Sequence, residues 1–252
     1  MIEIKNLNIN YDDIKVVTDL NLEIKQGEMV CVIGPNGSGK TTLLKAIAQI
    51  KNYHGLINYK ENNMTDLSRK EMGKVMALLS QNSNNYFAFK VYDVVMNGRY
   101  PYIDGLFSGP TKSDHKIVKE ALERVGMYEH KDCKIDALSG GQLQRVYLAK
   151  LLSQQPDIIL LDEPTNHLDL KYQIETLEFI KEITVNDNKI SIVVLHDLNL
   201  VQRYADKVIM LASDSDYIIG KPSEILKSDN LIDYYHIDIN NWMQETLSLW
   251  RK

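Results

Sequence analysis

Three hydrophobic patterns succeed one another along the chain. Near the N-terminus apolar positions recur every second residue, at Ile2 and Ile4, at Leu7, Ile9 and Tyr11, and at Leu20, Leu22 and Ile24. That is the period of half-buried antiparallel strands. The pattern then changes to short unbroken runs, Met29 to Ile33, Val75 to Leu79, Ile158 to Leu161 and Ile192 to Leu195. Such runs suit strands buried on both faces of a parallel sheet, which needs helices over it. Helical spacing follows where those helices belong, with Leu43, Leu44 and Ile47 after the first run and Ile174, Leu177 and Ile180 after the third. Between Gln81 and Pro156 no buried-strand run occurs. Val91, Val94 and Val95, then Ile117, Val118, Ala121, Leu122 and Val125, recur at helical intervals instead. The pattern predicts an α/β chain: an antiparallel β part, a parallel sheet flanked by helices, and an α-helical insertion.

Local signals sharpen this outline. Ser68-Arg69-Lys70-Glu71 and Thr111-Lys112-Ser113-Asp114 read as N-terminal capping boxes. The polar and aromatic stretch from Ser80 to Phe89 reads as a connector, and residues 227–252 carry no pattern that assigns them.

Composition narrows the class. With 252 residues, 44% of them hydrophobic and 25% charged, the chain has the ordinary globular balance and is large enough for a substantial core. No apolar run exceeds five residues, whereas a spanning helix needs about 18 or more. Met1-Ile2-Glu3-Ile4-Lys5 alternates like a strand and has no basic or long apolar leader, so the expected location is cytoplasmic. Cys31 and Cys133 stand far apart, in neither a CxxC nor a Cys/His cluster, and are expected to be packing residues. The net charge of −5 and the absence of a long basic run disfavour a nucleic-acid partner.

The chemistry begins where the first buried run ends. Gly34-Pro35-Asn36-Gly37-Ser38-Gly39-Lys40-Thr41 fits G-x-x-x-x-G-K-[ST] between a predicted strand and a predicted helix. Glycines let successive N–H groups line one concavity, and the helix N-terminus adds its dipole. Lys40 adds positive charge, Thr41 a hydroxyl for Mg²⁺, and Thr42 a further donor to phosphate. The fold expected is therefore a P-loop NTPase core with a mixed sheet. Asp162 and Glu163 close the run Ile158 to Leu161. Asp162 suits the metal, and Glu163, one residue on, suits a base that polarises the attacking water. Leu138-Ser139-Gly140-Gly141-Gln142 opens another helical pattern. By itself it reads either as a serine N-cap with two flexible glycines or as a second anion-binding helix start, serving a nucleotide held by another copy.

Together these motifs, their order and their spacing resemble the ATP-binding cassette ATPases, the nucleotide-binding subunits of ABC transporters, over residues 1–226. The resemblance implies a core of 1–81 and 157–226, a helical signature subdomain of 82–156, and ATP with Mg²⁺ as ligands. It places Tyr11 against adenine, Gln81 as the Q-loop glutamine on Mg²⁺, Asp169 of Asn166-His167-Leu168-Asp169 across a dimer interface, and His196 as the switch histidine on the γ-phosphate. Two chains would close head to tail around two ATP molecules, with Ser139, Gly140, Gly141 and Gln142 acting in trans. The implied partners are a second ATPase subunit, a membrane permease and, indirectly, an extracytoplasmic substrate-binding protein, at the cytoplasmic side of the membrane. Asn97-Gly98-Arg99-Tyr100-Pro101-Tyr102, with Leu106-Phe107, resembles importers for ferric siderophores, haem and cobalamin. Zinc or manganese importers, and soluble ATPases of iron-sulfur assembly, are the alternatives. Two departures stand out: Lys90 where relatives carry threonine ahead of a helix, and Ala212 to Tyr217 without a turn glycine.

Overall fold

The computed structural model describes residues 1–11, 14–80, 89–103, 105 and 108–250. The N-terminal alternation becomes strands β1 (Ile2–Tyr11) and β2 (Ile14–Ile24), paired antiparallel, with Ile2, Ile4, Leu7, Ile9, Leu20, Leu22 and Ile24 buried and Tyr11 exposed. The first unbroken run is β3 (Met29–Ile33), and helix α1 (Lys40–Ile47) follows it. Strands β4 (His54–Tyr59) and β5 (Asn62–Asn63) complete a small sheet of order β2-β1-β4-β5. Helix α2 (Arg69–Val75) takes Val75 from the expected strand, so β6 is Met76–Leu79. The chain then runs through α3 (Val91–Met96), α4 (Lys112–Arg124) and α5 (Gly140–Gln154), and no described residue of this segment joins either sheet.

Strand β7 (Ile158–Asp162), α6 (Leu170–Asn186), β8 (Ile190–Val194), α7 (Leu198–Tyr204) and β9 (Lys207–Leu211) return to the core. With β10 (Tyr217–Gly220) they give a larger sheet of order β10-β9-β3-β8-β7-β6, parallel except for β10. The unbroken runs have a direct cause. Met29, Cys31 and Ile33 point into a core shared with α3 to α7, while Val30 and Val32 point into another shared with α1 and the small sheet. A strand between two cores has no solvent face on which to place polar residues.

Both predicted capping boxes form, with Ser68 and Glu71 at α2 and Thr111 and Asp114 at α4. Lys90 precedes α3 without a side-chain cap hydrogen bond, as expected of a residue that cannot accept one. The β9–β10 turn needs no glycine because Ser215 adopts φ 72° and the Asp216 carbonyl accepts from the Ala212 amide. Cys31 is buried, which pushes its thiol up to about 12. Cys133 is exposed, correcting its assignment as a packing residue: it lies in the turn ahead of α5, where its backbone is bonded to His130 and Val91.

After α8 (Pro222–Ile225), the C-terminal stretch that carries no sequence pattern folds as α9 (Ser228–Tyr235) and α10 (Ile239–Trp250). Leu231 and Tyr234 of α9 enter the main core, and the Tyr234 hydroxyl donates to Asp216 at 3.1 Å. Tyr235 comes up to the backbone of Gly34, and burial pushes its hydroxyl up to about 12.

Candidate active site

In a parallel sheet the loops at the carboxyl ends of neighbouring strands share one edge, and ligands bind there. Adjacent strands β3, β8 and β7 end at Gly34, Leu195-His196 and Asp162-Glu163, so residues distant in sequence meet.

Glycine is required in the phosphate loop for two reasons. Gly37 has φ 83° and open space where a Cβ would stand, so conformation alone selects it. Gly39 has φ 92° and also faces Val16, whose Cγ1 would lie 2.1 Å from any added Cβ. The loop is thereby clamped by the β1–β2 hairpin, a contact invisible in the motif. Gly39 caps α1 with no side-chain acceptor, and no acidic residue occupies the first turn, so the helix start is free to attract an anion. The buried Ser38 hydroxyl has no hydrogen-bond partner, and the ammonium of Lys40 lies within the loop, donating to the carbonyls of Gly34 (2.9 Å) and Pro35 (2.8 Å). Burial lowers the Lys40 pKa, against the pull of Glu163 and Asp162. An unpartnered buried hydroxyl beside a desolvated cation in a nest of amides fits a phosphate group.

The Thr41 hydroxyl donates to both Asp162 oxygens, at 3.0 and 2.9 Å. Asp162 is 6% exposed; burial raises its pKa, and the neighbouring charge of Glu163 adds to the rise. Paired hard oxygen donors and carboxylate charge short of compensation suit Mg²⁺.

Glu163 takes φ 54°, unusual for a residue with a side chain. Its carboxylate is held on both sides, by Asn166 Nδ2 on one oxygen and by His196 Nε2 at 2.6 Å on the other. Both Glu163 and His196 were singled out in the sequence, but for separate roles, so their direct pairing is new from the structure. The Asn166 contact is new as well, because nothing in the residue type says that the turn after β7 folds its amide back.

Ser139, Gly140 and Gly141 open α5 on a separate part of the chain. Ser139 accepts from the Gln142 amide and Gln142 Oε1 accepts from Ser139 N–H at 3.0 Å, forming a capping box. This is the serine cap that the sequence allowed, with the Gln142 side chain committed to it, while Ser139 and Gly140 are exposed. Asp169 caps α6 through the Tyr172 amide and is also exposed. Neither group contacts the phosphate loop in the interactions described for this chain. Tyr11 is 58% exposed and has the Lys51 ammonium 4.4 Å from its ring centroid. Gln81, Leu106 and Phe107 lie outside the described residues.

A glycine-lined anion cradle at a helix start, a hydroxyl–carboxylate pair and a braced glutamate at one sheet edge define a nucleoside triphosphatase. The match that specifies which kind is to the ABC transporter family, whose profile covers residues 17–166; this chain belongs to that family. It binds ATP and hydrolyses it in a reaction coupled to transport.

Relatives extend the likeness beyond those residues. The petrobactin import ATP-binding protein FpuD of Bacillus anthracis is 37% identical, the match covering 94% of this chain and 87% of that one. The iron(3+)-hydroxamate import ATP-binding protein FhuC of Bacillus subtilis is 36% identical over 93% and 87%. Among solved structures, a chain from an inward-facing metal-chelate type ABC transporter superposes with TM-score 0.84 at 27% identity, covering 94% of this chain and 89% of that one. The dimeric ATP-binding cassette MJ0796 bound to ADP and Pi gives 0.75 at 28% identity, over 88% and 99%.

Proposed function

We propose that this chain is the ATPase subunit of an importer for ferric siderophores and works as a head-to-tail pair. The observation that carries the catalytic part is the Glu163 carboxylate, braced by Asn166 and His196 beside the Thr41–Asp162 pair. In this reading the loop amides, Lys40, Ser38 and Thr42 hold the triphosphate. Thr41, Asp162 and Gln81 hold Mg²⁺, which supplies charge neutralisation along the phosphates. Glu163 orients and polarises water, and His196 keeps Glu163 in place while reaching the γ-phosphate. Tyr11 stacks on adenine once Lys51 yields one ring face.

The pairing part rests on Ser139 and Gly140, exposed at a helix start away from the chain's own cradle. The dimeric state of the MJ0796 cassette supports it. Transport requires a membrane partner, since no helix among the described residues is long and apolar enough to cross a bilayer. We place that permease against the helical segment, on the cytoplasmic face of the membrane, with an extracytoplasmic binding protein delivering cargo to it. A groove of roughly 720 Å³ on the core, lined by Ile50, Leu67, Met72 and Gly73, borders that segment and supports a placement where the two meet. Pro101 packs against Gly73, and its neighbour Tyr100 is 79% exposed.

The siderophore assignment rests on the Gly98-Arg99-Tyr100-Pro101 run together with relatives named for petrobactin and iron-hydroxamate import. Co-expression with the neighbouring permease and binding protein, followed by uptake into proteoliposomes, tests it. ATP-dependent entry of a ferric siderophore, and not of haem, cobalamin, zinc or manganese, is the expected result. A stable soluble complex with no permease would point instead to assembly chemistry.

A further inference from the structure

Two groups that the pairing reading sends toward a second copy, the Ser139–Gly141 turn and Asp169, begin different helices from different parts of the chain. For both to meet one partner in register, their separation has to be set within the single chain. The structure shows one residue joined to both helix starts, by its ring to one and by its backbone amide to the other.

Tyr172 lies in the first turn of α6. Its backbone amide donates to Asp169 Oδ1 at 3.1 Å, which completes the cap. Its ring lies flat against Gly141: a Cβ built there would meet three ring carbons at 3.1, 3.1 and 3.2 Å. Gly141 is in the first turn of α5, directly after the exposed Ser139–Gly140 pair. One turn farther along, Arg145 of α5 donates to Glu175 of α6 at 2.8 Å, and its guanidinium stands 5.8 Å from the Tyr172 ring centroid. The ring also borders a cleft of roughly 410 Å³, lined by Arg145 and Leu148 of α5, by Glu175 and Phe179 of α6 and, across from them, by residues 123–126 at the end of α4. Removing the ring therefore enlarges an existing space between α5 and α6, and leaves the Arg145–Glu175 pair as the nearby link. That pair is about 40% exposed on each side, and such pairs contribute little on their own.

We propose that Tyr172 is a positioning residue which fixes the spacing between the Ser139–Gly141 turn and Asp169, so that both engage a second copy together. The flat face of the ring does this, and its hydroxyl does not take part. The proposal rests on the head-to-tail reading. It adds a residue that approaches no phosphate itself yet decides how well the pair closes.

The test uses the full chain, with and without Glu163→Gln to hold ATP. Tyr172→Ala is expected to leave the ATP affinity of the single chain within about twofold of the parent, and to lower turnover about tenfold. In the Glu163→Gln background it should raise the protein concentration needed for ATP-driven pairing by about tenfold, measured by sedimentation. Tyr172→Phe should restore both quantities to within about twofold of the parent. If Tyr172→Ala does not fold, Tyr172→Leu, which keeps apolar bulk without a flat face, should show the same defect in smaller measure.

The proposal is overturned by pairing and turnover unchanged in the alanine and leucine variants, by ATP affinity falling in step with turnover, or by a phenylalanine variant as impaired as alanine. Failure of the Glu163→Gln parent to pair refutes the head-to-tail reading, and this inference with it. A parent that pairs but is indifferent to residue 172 refutes this inference alone.

Discussion

In the proposed mechanism Glu163 and Lys40 divide the chemistry of the site, and the charge of Glu163 acts on Lys40. The glutamate is held in a left-handed backbone conformation with both oxygens engaged, so its position costs the fold something and is set by its neighbours. Glu163→Gln keeps the shape and removes the basicity. It should bind ATP normally and lower the turnover number by about 10²-fold or more, the range for losing a general base. Single-turnover hydrolysis measures this, and near-normal turnover would remove Glu163 from the mechanism. Lys40→Ala takes away the cation inside the loop and leaves the Gly34 and Pro35 carbonyls without their donor. Nucleotide affinity should fall by more than about tenfold in equilibrium titration, as loss of a charge-assisted contact implies. Unchanged affinity would mean that the loop is not the phosphate site.

Helix ends and joints carry the next level. Arg99 of the Gly-Arg-Tyr-Pro run is buried, and its Nε donates to Asp114 at 2.8 Å while a guanidinium Nη1 donates to the Ser153 carbonyl at 2.7 Å. The run thus ties α4 and the end of α5 together, a structural task alongside any contact with a permease. Burial works to raise the Asp114 pKa, but hydrogen bonds from Thr111 and Arg99 outweigh it and hold the carboxyl at about 2. The unfolded value is about 3.9, so this carboxylate stabilises the fold fully above that pH, and the contribution is lost as pH falls toward the folded value. Asp114→Asn leaves Arg99 buried without its counter-ion and should cost about 3 to 5 kcal/mol. Urea unfolding at neutral pH and again near pH 3 should show the variant's deficit shrinking in acid. A deficit independent of pH would contradict the ion-pair account. At the start of α3, Lys90→Thr adds the missing cap and should stabilise by about 1 kcal/mol, read as a rise in the denaturation midpoint.

For the molecule as a whole, the head-to-tail proposal makes a site complete only between the cradle of one copy and the Ser139 turn of another, and mixing experiments test that directly. Ser139→Arg should retain single-chain ATP binding and lose turnover. Mixed with Lys40→Ala, which is inactive for the other reason, it should regain partial activity, because one of the two sites in a mixed pair has an intact loop and an intact Ser139 turn. No recovery in a mixture shown to form mixed pairs would place the whole site within one chain. The C-terminal helices belong to this scale too, since α9 puts Leu231 and Tyr234 into the main core and Tyr235 against Gly34.

Much of this was settled by sequence alone, because the determinants are local or periodic. Burial on one face or two shows in the apolar period, so both sheets and the helical segment were legible, as were the capping boxes at Ser68 and Thr111. The placing of the phosphate loop, Asp162 and Glu163 at the ends of buried strands was legible from the apolar runs, and His196 was singled out through the family resemblance. What remained hidden depends on residues far apart in the chain. Val16 against Gly39, Tyr235 against Gly34 and Tyr172 against Gly141 have no sequence signal, since nothing local encodes which surface will arrive opposite a glycine. Cys133 was misplaced because a lone cysteine carries no period. Helix α9 escaped because its short apolar face is completed only by the core that Leu231 and Tyr234 join. Periodicity tells a segment which side to bury; only the assembled sheets and helices decide what it is buried against.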